Sequence, residues 1–218
     1  MSLIDLITGS TGTKVAQDAE NKFGITKGQM IALAAIAVPL IIMYLKNKSE
    51  DADEAEALNK ALDKDHNGSI LNNPSEALEK ESEGNSILDH IFGKKKGEVE
   101  SSLASQTGIS MSTIGPLLAT LAPLVMGYIG KQKQDSGVSS GGGLSDLLGG
   151  ILGKASTDAK AEPSNPLNDI LGGLLGGGNS SSGGNSLNDL LGGLMGGGSD
   201  KKSDEGGLGG LLGGLFGK

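Results

Sequence analysis

The 218-residue chain contains no cysteine and no tryptophan, and each of its 18 basic residues is a lysine. Without thiols there are neither disulfides nor thiolate metal sites. Without arginine there is no bidentate fork for phosphate or guanine, and a net charge of −8 repels polyanions, so nucleic acid is not expected as a partner. Aromatic residues make up only 2% of the chain, so part of it lacks the large side chains that fill an ordinary core. The opening MSLIDLITGSTG has no basic segment leading into a long apolar run. No secretory signal is read there, and a cytoplasmic protein is expected. Catalytic patterns are missing as well: His66 and His90 lie outside any HExxH arrangement, no GxSxG occurs, and no glycine pair leads into GK[ST]. With no partnered acid–base set to read, neither an enzyme nor a cofactor is expected, apart from a weak calcium possibility taken up below.

Glycine is abundant, and its distribution divides the chain. Of 38 glycines, 12 fall in residues 1–133 and 26 in residues 134–218. A folded helical region of 133 residues followed by a Gly/Leu-rich, largely disordered tail is expected. Within the first part the sequence repeats: shifted by 84 residues, 2–48 aligns with 86–132 without a gap, and 12 of the 47 positions are identical. Chance would give about three or four. The identities include Ile7/Ile91, Gly24/Gly108, Leu33/Leu117, Pro39/Pro123 and Tyr44/Tyr128. Each copy reads as a short opening helix, a second helix, a Gly-Ile-Thr/Ser turn that ends one helix and caps the next, and a long apolar helix. His90 stands where the first copy has Leu6, which predicts a half-buried position. The connector 49–85 is acidic, with 11 acids against 3 lysines over 49–83, and predicts two solvent-facing helices near 50–62 and 74–82.

The long apolar helices pose a membrane question. Lys27 and Lys46 enclose 18 uncharged residues, the lower edge of a span. Pro39 and Pro123 lie mid-helix, and two such helices in one duplicated unit bury each other, so a soluble core is the main expectation and a membrane hairpin the alternative. The stretch VESSLASQTGISMSTIGPLL has Ala104, Gly108 and Ile114 at helix-turn-helix spacing. Its second helix presents Met, Ser, Thr, Ile, Gly, Pro and Leu, not the donors that read DNA.

The patterns LNKALDKDHNGSILNN, GNSILDHIFGKK, LASQTGIS and LLATLAPLVMGYIGKQ, followed by a Gly-Leu tail, resemble the bacterial YidB-like family, a domain of unknown function, over roughly residues 14–133. The resemblance implies a soluble, all-α, homeodomain-like bundle with no established enzymatic activity.

Two further features point to binding. DKDHNGSI places Asp63, Asp65, Asn67 and Gly68 at the spacing of the first half of an EF-hand loop, but position 12 is Pro74 and the nearest acid is Glu76. A capped turn is expected, with a weak calcium site as the alternative and a calcium-regulated adaptor as the function it would bring. In the tail, GLSDLLGGILG, PLNDILGGLLG, SLNDLLGGLMG and GLGGLLGGLFG share one helical stripe. Its leading members are Leu144, Leu147 and Leu148; Leu167, Ile170 and Leu171; Leu187, Leu190 and Leu191; and Leu208, Leu211 and Leu212. A central glycine pair costs about 2 kcal/mol relative to alanine, so no such helix stands alone. The opening SLIDLITG and SILDHIFG match SLNDLLGG in register, which predicts tail segments that dock as extra copies of a helix the fold already buries. The expected function is non-enzymatic self-association into an oligomer, scaffold or filament, with the chain itself as partner and a membrane-associated hairpin as the alternative.

Overall fold

The computed structural model describes residues 1–161, with side chains to residue 157, and among them the regular elements are eight α-helices and a few short 3-10 turns. The α-helices are α1 (Leu3–Thr8), α2 (Ser10–Phe23), α3 (Lys27–Lys48), α4 (Ala52–Lys64), α5 (Glu81–Phe92), α6 (Lys96–Thr107), α7 (Met111–Ser136) and α8 (Leu144–Ala161). The all-α expectation holds for this region.

Local chemistry explains most of the helix ends. The Ser2 hydroxyl accepts from the Asp5 amide while the Asp5 carboxylate accepts from the Ser2 amide, which starts α1 and holds the Asp5 carboxyl below its usual range. Gly24 and Gly108 end α2 and α6 in the left-handed conformation, at φ 68° and 67°. Thr26 and Gln29 then form a second reciprocal cap at the start of α3.

The two apolar helices form the core. Every residue of α3 from Leu33 to Leu45 is buried, as is every residue of α7 from Leu117 to Gly130, and the two helices touch each other. Both are long and apolar enough to cross a membrane, and here both are mostly enclosed by their own chain. Within these two helices three paired positions share their burial: Leu33 and Leu117 are fully enclosed, as are Ala35 and Ala119, and Tyr44 and Tyr128 are 4% and 3% exposed.

Three expectations about the middle and end of the fold need correction. The connector is not two solvent-facing helices: α4 forms, but 74–78 is a single tight 3-10 turn in which Pro74, Ala77 and Leu78 are buried against α2 and α7. The second opening helix begins at Glu81, inside the expected connector, and it approaches α7 most closely at Gly84. A side chain there would put its first carbon 1.8 Å from the Ala119 carbonyl oxygen. That carbonyl lies four residues before Pro123, which has no N–H to give it, so the helix leaves it available where α5 approaches closely. Finally, α7 runs past residue 133 to Ser136, and α8 continues the packed fold, so helical packing extends well into the region read as tail.

Candidate docking site

The first tail segment is the helix α8. It packs mainly on α3 and reaches α1, α4 and α7. Leu144, Leu148, Ile151, Leu152 and Ala155 are buried, and Leu147 is half-buried, so the stripe read from sequence is the face that docks. Asp146 lies in the first turn, where the helix dipole favours an acid. The Gly149-Gly150 pair weakens the isolated helix by about 2 kcal/mol. Burial of these side chains, about 1.5 to 3 kcal/mol each, therefore holds α8 in place. The approach is close at its entry too: Gly141 lies against the α4 backbone, where an added side-chain carbon would come within 2.8 Å of Ala55 and Glu56. The segments with Leu167, Ile170 and Leu171, with Leu187, Leu190 and Leu191, and with Leu208, Leu211 and Leu212 lie outside the described residues.

A second apolar surface is open. Between α4 and α5 lies a groove of about 370 Å³, walled by Ala57, Leu58, Ile87 and Ile91 and floored by Leu45 and Met126. Both histidines line it. His90 Nε2 lies 3.3 Å from a Glu54 carboxylate oxygen, which also accepts from Lys48 Nζ at 3.2 Å. The His90 side chain is 63% exposed, more open than the half-buried position expected of it. His66 is buried at the other end, with Nδ1 3.8 Å from Glu83. Desolvation pushes the His66 pKa below its usual value, against the opposing pull of Glu83 and Asp65. Sequence reasoning missed this groove, because its α4 wall comes from a segment read as solvent-facing. The available signal was the break in the apolar stripe where His90 replaces Leu6.

The 63–70 turn is occupied by internal contacts. Asp63 is still in α4, and its carboxylate accepts from Lys133 Nζ at 2.5 Å. That lysine is 2% exposed. Asn67 Oδ1 accepts from the Ser69 amide at 3.1 Å, Gly68 turns the chain at φ 95°, and Glu76 accepts from Asn73 Nδ2 at 2.8 Å. The turn is pressed on α7: a side-chain carbon at Gly130 would lie 1.8 Å from the His66 carbonyl oxygen. Asp65 is exposed. Asp63, Asp65 and Asn67 are thus adjacent in the chain, but two of the three side chains are engaged with protein groups.

Fold and surfaces together define a helical protein that carries a docked helix of its own repeat and an open groove beside it. The chain belongs to the family described as bacterial proteins of unknown function, DUF937, whose family model matches residues 5–132. The YidB-like resemblance falls within that family. The matched span ends before α8, so the docked segment and the remaining tail lie beyond it. No curated protein and no solved structure matches the chain.

Proposed function

We propose that this chain is a non-enzymatic structural protein that self-associates through its tail segments and acts in the cytoplasm. One observation carries the reading: the first of the four recurring segments is α8, seated with Leu144, Leu148, Ile151 and Leu152 buried. The stripe repeated at Leu167, Leu187 and Leu208 is therefore of a kind that docks on this fold. A single short Gly-paired helix binds weakly, whereas several on one chain raise the effective concentration and sustain assembly by avidity. An open head-to-tail arrangement extends into filaments.

Serine in place of Leu171, Leu191 and Leu212 together tests this by sedimentation velocity at high micromolar concentration. The triple variant is expected to shrink the assembly by more than the single changes combined. If it sediments like the parent and the parent is a monomer, the reading fails. A second reading, a membrane-associated hairpin, draws on the length and apolarity of α3 and α7. The enclosure of both helices by their own chain favours the first reading. The calcium-adaptor reading draws only on the spacing of Asp63, Asp65 and Asn67, and the pairing of Asp63 with Lys133 favours a structural turn.

A further inference from the structure

The two halves treat the same face of their opening helix differently. The 84-residue shift pairs Leu3, Leu6 and Ile7 of α1 with Ile87, His90 and Ile91 of α5. In α1 the three side chains are 2%, 5% and 2% exposed, and α8 reaches this helix as it packs along α3. Of the three paired residues in α5 only Ile91 is buried: Ile87 is half-buried, His90 is exposed, and all three line the groove against α4. The α4 side of the groove is lined by Glu54, Ala57, Leu58 and Ala61, and Ala57 is exposed. An apolar channel thus remains on the second half where the first half has a covered face.

From this we infer that the α4/α5 groove is the receiving site for the tail segment Pro166–Leu175 of a second copy of the chain. The inference rests on the self-association reading and names the site at which it occurs. The occupant is chosen from the chain itself. PLNDILGGLL repeats the α8 pattern LSDLLGGILG, with large apolar residues at Leu167, Ile170, Leu171, Leu174 and Leu175 and with Asn165-Pro166 as cap and first-turn proline. A helix with that stripe already docks on this fold. The same chain's copy is tethered by only residues 162–165 to the end of α8, a reach of about 14 Å. A neighbour's copy carries no such restriction, and one segment per groove links chains head to tail.

The absence of native cysteine makes the contact testable in the full-length protein. A chain carrying Ala57→Cys is mixed with a differently tagged chain carrying Leu171→Cys and oxidised. A disulfide forms only where the two β-carbons come within about 4.5 Å. Ile87→Cys serves as a second groove variant, and Met111→Cys, 53% exposed at the start of α7 and outside the groove lining, as the control. The expected result is a mixed-tag dimer at both groove positions, at least about tenfold above the control, from the local concentration that docking creates. Control-level product in variants that keep the parent's helical circular dichroism overturns the inference. So does a purely intramolecular product when Ala57→Cys and Leu171→Cys are placed in one diluted chain, or cross-linking by Leu191→Cys alone. Sedimentation of the parent separates the two readings: a self-associating parent with control-level product sinks the groove assignment and leaves self-association standing, and a monomeric parent sinks both.

Discussion

The opening helices α1 and α5 start from nearly the same words, SLIDLITG and SILDHIFG, and end in different surroundings. In the first, Ser2 caps the helix and Leu3, Leu6 and Ile7 are enclosed. In the second, the equivalent Ser86 lies inside a helix that began at Glu81, and its hydroxyl donates to the Ser82 carbonyl oxygen instead of capping anything. Its stripe borders an open groove. A short motif therefore encodes a face that needs covering, while the neighbours decide whether that face is covered. Where cover is lacking, Leu6 has been replaced by His90, as a position open to solvent permits.

The largest effect is expected at the α5/α7 crossing. Gly84→Ala forces a carbon into the Ala119 carbonyl oxygen and is expected to cost about 3 kcal/mol or more, read from the denaturation midpoint. Gly97→Ala, in α6 with open space around it, serves as the contrast and is expected to stabilise by about 0.5 to 1 kcal/mol. Equal effects of the two would mean that the helices do not cross so closely.

The paired stripe positions sharpen the contrast directly. Leu3→Ala is expected to cost about 2 to 4 kcal/mol and Ile87→Ala about 1 kcal/mol, because only the first empties a closed site. Urea denaturation of both under conditions that keep the protein monomeric gives the comparison. A reversed order would remove the distinction between a covered and an open face.

Sequence reading reached the apolar helices, the Gly24 and Gly108 turns and the α8 stripe, because each is written in local periodicity or capping chemistry. It could not reach contacts between distant residues. Lys133 and Asp63 are 70 positions apart, and nothing local announces that a lysine in an apolar helix is to be buried against an acid at the end of α4. Nor does the sequence near Gly84 say that Pro123 frees a carbonyl for it to approach. The groove was hidden for the same reason: its walls come from α4 and α5, and its floor from α3 and α7.

The 63–70 turn offers a smaller test. Asp63→Ala leaves the buried Lys133 ammonium without its carboxylate and is expected to cost about 1 to 2 kcal/mol, less than a wholly buried pair because Asp63 itself is 57% exposed. Calorimetric titration of the parent with millimolar calcium is expected to give no saturable heat. A one-site isotherm abolished by Asp63→Ala would restore the ion-binding reading.

The smallest effect concerns pH. Burial lowers the folded pKa of His66 from its ordinary 6.5, so the unfolded chain takes up the proton first. This contribution to stability is fully present above pH 6.5 and is lost as the pH falls from there through the folded value. Urea denaturation between pH 5 and 8 is expected to show a decline on the acid side that is shallower in His66→Gln. An unchanged slope in that variant would place the burial penalty elsewhere.

The segments beyond α8 are proposed to join one chain to another, while α8 itself is packed into the fold. Sedimentation velocity of the full chain beside a chain ending at Ala161 tests this most directly, with circular dichroism to establish that the shorter chain keeps α1 to α8. An assembly is expected for the full chain and a folded monomer for the shorter one. Two chains that sediment as the same species, monomeric or assembled, would contradict it.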